Sequence, residues 1–214
     1  GDGIGDFKGI TEKLDYLNDG DPNTSNDLGI TGIWLMPMME SPTYHGYDVS
    51  DYYEIEVDYG TMEDFEEFLE QAHLRGIKVI IDLVLNHTSN QHPWFIQSAN
   101  NQNNYREWYI WSENNPGFTG PWGQNIWHYN QGNYYYGLFW SGMPDLNYEH
   151  QSVKQEMINV ANFWLNKGVD GFRLDAIKYL IEDASNLENT PATFSLIEDF
   201  NSCLLYTSDA ADED

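Results

Sequence analysis

The chain has 214 residues, enough for one well-buried domain and too few for most two-domain enzymes. Nine Lys and Arg against 35 Asp and Glu give a formal charge of −26, which repels phosphate backbones and all but excludes nucleic acid as a partner. A hydrophobic share of 41% argues against disorder, one Cys leaves no disulfide framework, and no apolar run reaches the roughly 20 residues of a membrane helix.

Residues 29–36 form a short apolar run ended by Pro37, which predicts a strand buried on both faces. Thr61 opens a helix with Asp64 as its capping-box partner; Met62, Phe65, Leu69 and Ala72 form the apolar stripe, and Gly76 stops it. Residues 77–85 are the clearest strand. A second helix spans 152–166, burying Val153, Met157, Ala161 and Trp164, and a third strand spans 169–174. Strands alternating with helices predict a parallel sheet with right-handed crossovers.

Between residues 85 and 152 the rhythm breaks, and an interval of this length reads as a functional loop or a small subdomain. It holds five of the eight Trp (Trp108, Trp111, Trp122, Trp127 and Trp140) and the run Tyr134-Tyr-Tyr136. These rings either form the insertion's own core or face a cleft and stack on a flat apolar ligand face. Both ends read as cut: Gly1 replaces an initiator Met, and residues 203–214 lose the alternation. That last segment resembles translated vector sequence rather than a fold element, which would make Cys203 foreign.

Four segments carry candidate chemistry. In Gly171-Phe-Arg-Leu-Asp175, Arg173 and Asp175 alternate with apolar residues, so both charges leave the same face of a strand near its C-terminal end. Parallel-sheet enzymes place reacting groups there, and an adjacent Arg favours the ionised carboxylate that a nucleophile requires. Asp82, Asn86 and His87 cluster at the end of the preceding strand. Zinc is disfavoured, because only one of the six His sits at a predicted strand end. Ser41-Pro-Thr-Tyr-His-Gly-Tyr-Asp48 follows the first strand as a Pro- and Gly-fixed loop bearing rings and polar tips, and Asp2, Gly3, the Ile4 carbonyl and Asp6 match half of an oxygen-rich calcium loop.

Taken together, these blocks resemble glycoside hydrolase family 13, the α-amylase family. Asp2-Gly-Ile-Gly-Asp-Phe7, Gly32-Ile-Trp-Leu-Met-Pro37 with Gly46-Tyr-Asp48, Asp82-Leu-Val-Leu-Asn-His87, Met143-Pro-Asp-Leu-Asn147 and Gly171-Phe-Arg-Leu-Asp-Ala176 occur in the family's order. The resemblance implies part of a (β/α)8 TIM barrel: barrel over 1–87, an inserted subdomain over 88–149, barrel again over 150–202, and a non-native tail over 203–214.

By position, Asp175 resembles the family's nucleophile and Arg173 the residue that keeps it ionised. Tyr47, Asp48 and His87 resemble the groups that hold the sugar at the cleavage subsite, and Lys178 one that binds the sugar on the leaving side. Asn86 and Asp145 match ligands of a structural Ca2+; Asp2, the Ile4 carbonyl and Asp6 match a second calcium site. Tyr179 replaces a His usual in the family, and Glu198 falls in a helix rather than on a strand. The acid/base Glu and a further transition-state Asp of the family match nothing here, so the fragment alone is expected to be inactive.

The implied substrate is an α-glucan or maltooligosaccharide cleaved in endo fashion at α-1,4 bonds, a linkage toward which Ala176 leans. An exo-acting α-glucosidase or oligo-1,6-glucosidase is the alternative, and a non-catalytic relative a third. A monomeric, secreted parent without membrane or nucleic-acid partners completes the expectation.

Overall fold

The computed structural model describes residues 3–183 and 186–209. Two short helices, α1 (Phe7–Thr11) and α2 (Leu14–Leu17), precede strand β1 (Gly32–Leu35). An antiparallel pair, β2 (Met39–Glu40) and β3 (Asp51–Ile55), leads into α3 (Met62–Leu74) and β4 (Lys78–Val84). Then come α4 (Pro93–Ala99) and the strands β5 (Trp111–Ser112), β6 (Trp127–Asn130) and β7 (Asn133–Tyr136). Helix α5 (Gln151–Asn166), strand β8 (Gly171–Asp175) and helix α6 (Pro191–Asp209) complete the order.

Strands β1, β4 and β8 form one parallel sheet in that order. Helices α3 and α5 are its crossovers, so the alternation seen in the sequence is realised. Thr61 caps α3 as expected: its hydroxyl accepts from the Asp64 N–H at 3.2 Å, and the Asp64 carboxylate accepts from the Thr61 N–H at 3.0 Å. The helix buries Phe65, Leu69 and Ala72 and also Phe68, while α5 buries Val153, Met157, Ala161 and Trp164. Fully burying one such large apolar side chain contributes about 1.5–3 kcal/mol. The Trp164 indole N–H donates to the Tyr52 carbonyl at 2.9 Å, so α5 is pinned to β3 without an orphaned donor.

One expectation is corrected. β1 is not buried on both faces: Trp34 is 49% exposed, whereas Ile33 and Leu35 pack on the core. Among the described residues β1 edges the sheet, and its Trp34 face lies beside the Arg173 guanidinium, 5.4 Å from the ring centroid, rather than beneath a helix. Of the tail expected over 203–214, residues 203–209 continue helix α6, and 210–214 lie outside the described residues.

The irregular interval holds α4 and a second, antiparallel sheet in the order β5-β7-β6. Most of its aromatics serve as packing. Tyr135 and Tyr136 are buried, and Trp108, Trp111 and Trp127 pack against core clusters. Trp122 and Trp140 stay largely exposed.

Candidate active site

Alternation along β4 and β8 builds the centre of the site. Asp82 lies opposite Arg173 in the parallel register, and Val84 opposite Asp175. Odd-numbered Val79, Ile81 and Leu83 are fully buried, which turns Asp82 to the other face. There Arg173 Nη1 donates to Asp175 Oδ1 at 2.5 Å and to the two Asp82 oxygens at 3.2 and 3.1 Å. Asp82 has no exposed side-chain surface, Asp175 is one-fifth exposed and Arg173 two-fifths. Burial pushes the Asp82 carboxyl above its ordinary range against the pull of Arg173. The Asp82–Arg173 pair therefore orients the guanidinium more than it stabilises the fold.

Strand β8 ends abruptly. Ala176 takes a left-handed conformation (φ 52°, ψ 21°), sparsely populated for a side chain with a Cβ. This turn lifts Asp175 to the rim of the sheet while the Ala176 methyl packs on a small cluster that Ile126 and Leu138 of the insertion form with Tyr179.

The loop after β1 delivers Tyr47 and Asp48. Gly46 permits it: its φ is +74°, and a Cβ there would stand 2.9 Å from Pro37. The Tyr47 hydroxyl reaches Asp82 Oδ2 at 3.4 Å, joining the loop to the ion-paired centre. Asp48 is buried, accepting from Ser41 Oγ at 2.9 Å and from the Thr43 hydroxyl, with His45 Nδ1 at 3.7 Å.

Asn86 and His87 follow β4, and the Met143–Asn147 block lies against them. Leu146 N–H donates to the Asn86 carbonyl at 2.9 Å, Thr88 N–H donates to the Pro144 carbonyl at 3.2 Å, and His87 and Asp145 form an isolated antiparallel bridge. Burial pulls the His87 imidazole down to about 4, so it is neutral at physiological pH, and its Nε2 has no partner. Such a buried, unpartnered ring nitrogen suits a hydrogen bond to a ligand.

The expected calcium ligands divide. The Asn86 amide donates to Asp145 Oδ2 at 2.9 Å, and Leu138 N–H donates to Asp145 Oδ1 at 3.0 Å. Asn86 Oδ1 is buried without a partner. Burial pushes the Asp145 carboxyl well above its usual range, and Glu182 adds to this. Glu182, which accepts from the Tyr136 hydroxyl at 2.8 Å, is itself pushed by burial to about 7. An orphaned amide oxygen beside buried carboxyl groups fits a hard cation in donor chemistry. At the other candidate, Asp2 lies outside the described residues, Ile4 is exposed, and Asp6 caps α1 by accepting from Gly9 N–H at 2.6 Å. Among the described residues no three His, Cys, Asp or Glu side chains converge as a metal site.

Lys178 stands just past the turn at Ala176, its Nζ 2.6 Å from Glu188 and 4.7 Å from the Tyr179 ring centroid. Glu198 is exposed on α6, away from the strand ends. The sequence reading noted Asp82 but gave it no role, although an Asp inside an apolar strand was the available signal. It missed Phe139, whose ring lies edge-on 5.2 Å from His87, and Glu182, for which no local pattern exists.

Comparison with known proteins agrees with this geometry. The family model described as "Alpha amylase, catalytic domain" matches residues 1–210. Alpha-amylase 3 of Dictyoglomus thermophilum is 50% identical over 185 residues, covering 86% of this chain and 35% of that protein. Oligo-1,6-glucosidase of Parageobacillus thermoglucosidasius is 44% identical over 191 residues, covering 84% and 32%. The crystal structure of the α-amylase from H. orenii superposes with a TM-score of 0.85 at 54% identity, covering 94% of this chain and 41% of that one. The chain thus spans about a third of the length of these curated relatives. Its parallel sheet matches part of their catalytic domains, and the chain belongs to the α-amylase family of glycoside hydrolases, as a segment of its catalytic domain.

Proposed function

We propose that the intact protein is a retaining glycosidase that hydrolyses α-1,4 bonds of α-glucans and maltooligosaccharides, with Asp175 as nucleophile. The observation that carries this reading is the bridge from one Arg173 nitrogen to Asp175 and Asp82 at the C-terminal end of a parallel strand. A retaining mechanism needs two carboxyl groups about 5–5.5 Å apart, one attacking the anomeric carbon and one serving as acid and then base. Arg173 holds an Asp175 oxygen by a charge-assisted bond, which fixes the carboxylate's orientation for attack. Asp82 is engaged by Arg173 and Tyr47, so we assign the acid/base role to a glutamate in the part of the protein that this segment does not span. On this reading the segment alone is inactive, and the enclosing fold is a complete (β/α)8 barrel with residues 88–149 as an inserted subdomain.

Tyr47 presents a ring whose hydroxyl meets Asp82, and His87 a buried, unpartnered Nε2, groups suited to holding a sugar at the cleavage subsite. Asp48, fixed by Ser41 and Thr43, supplies a hydroxyl acceptor. Asn86 Oδ1 and Asp145 would hold a Ca2+ ion, which supplies positive charge to buried oxygens and ties the end of β4 to the Met143–Asn147 block.

Turnover of blocked maltoheptaoside, p-nitrophenyl α-glucoside and isomaltose by the intact protein tests the preference. An endo-acting α-1,4 enzyme favours the first. Preference for isomaltose transfers the assignment to the oligo-1,6-glucosidase group, and no turnover of any of them removes the hydrolase reading.

A further inference from the structure

We propose that Tyr52 and Tyr148 are positioning residues whose buried hydroxyls fix the strand end that presents His87 to the sugar, which rests on the glycosidase function proposed above. Strand β4 stops at Val84, yet every carbonyl from Val84 to His87 finds a donor elsewhere in the chain. The Tyr52 hydroxyl lies 2.9 Å from both the Val84 and the His87 carbonyl oxygens. Its single proton draws the two to one point and closes the turn between them. The Tyr148 hydroxyl donates to the Leu85 carbonyl at 2.6 Å, and Leu146 N–H serves the Asn86 carbonyl.

Both phenols are themselves held. Tyr52 sits fully buried on β3, where its backbone carbonyl accepts the Trp164 indole N–H from α5 and its ring stacks 5.6 Å from that of Trp94. Tyr148 is buried directly after the Met143–Asn147 block, which also pairs with Asn86 and His87. Burial pushes both hydroxyls above the usual phenol range, so each remains a donor at neutral pH. The strand end is thus tied to β3, and through it to α5, on one side and to the insertion's last block on the other.

On this fully satisfied row of carbonyls two side-chain atoms, Asn86 Oδ1 and His87 Nε2, are buried without a partner. A ring nitrogen that must meet a ligand oxygen needs a backbone that does not drift, because a shift of about 1 Å costs such a contact most of its effect. Phenylalanine at position 52 or 148 would fill nearly the same space. What each hydroxyl adds is its hold on the carbonyls, and through them on the His87 ring.

The test introduces Tyr52→Phe and Tyr148→Phe into the intact protein, each alone and each together with His87→Ala. Alone, each should lower kcat/KM on maltotetraose about tenfold; with His87 already replaced, the further loss should be less than about twofold. The His87 imidazole cross-peak in nitrogen NMR, assigned by its disappearance in His87→Ala, should move in both Phe variants. Losses that multiply in the double variants, or an unmoved cross-peak, would overturn the assignment and leave the hydroxyls a role in stability alone. If Tyr52→Phe does not fold, Tyr148→Phe decides by the same two readouts. If wild type hydrolyses no glucan, the glycosidase reading fails, while a moved cross-peak still supports the positioning role and an unmoved one refutes it.

Discussion

Arg173 and Asp82 face one another across the β4–β8 ladder, and the guanidinium nitrogen that Asp82 holds at 3.1 Å is the same one that meets Asp175 at 2.5 Å. Asp82 therefore aims the group that aims the nucleophile. Burial raises the Asp82 carboxyl above its usual range, so its charge at neutral pH weakens the fold rather than strengthening it. Asp82→Asn in the intact protein should lower kcat roughly tenfold or more with little change in KM, and should leave Tm unchanged or higher. A fall in Tm with kcat preserved would show that Asp82 serves packing alone.

Metal removal should act through the end of β4. With Asn86 Oδ1 orphaned beside the buried Asp145, chelation by EDTA is expected to lower the Tm of the intact protein by roughly 5 °C, with recovery on adding Ca2+. Asn86→Ala should abolish that response. A Tm indifferent to EDTA would remove calcium from this site.

His92 gives the protein an acid-sensitive element. Burial pulls its imidazole down to about 3 from 6.5, while its Nδ1 accepts from Trp94 N–H at 3.1 Å to cap α4. The unfolded chain takes up this proton first as pH falls, so stability present above about pH 6.5 is lost progressively toward pH 3. His92→Asn retains a capping acceptor without titrating. Thermal melts from pH 7 to 4 should show wild type losing stability more steeply than the variant, and parallel profiles would contradict this.

What the sequence revealed and what it hid follow from the range of the interactions. The Thr61–Asp64 capping box, the stripes of α3 and α5 and the alternation of Arg173 with Asp175 are set within a few residues, and each is found in the structure. The contact of Phe139 with His87 and the bond from Tyr136 to Glu182 join positions about fifty residues apart, with no periodicity to announce them. β1 misled for a related reason. An apolar run reports hydrophobicity but not whether a helix or an ion-paired site lies over Trp34.

The most direct measurement is covalent trapping. The intact protein is incubated with a fluorinated glucosyl inactivator that slows hydrolysis of the glycosyl-enzyme ester, then digested and sequenced by mass spectrometry. The expected result is a single adduct on Asp175, in the peptide holding Gly171-Phe-Arg-Leu-Asp175. An adduct on Asp82 or on any other carboxylate would contradict the assignment of the nucleophile.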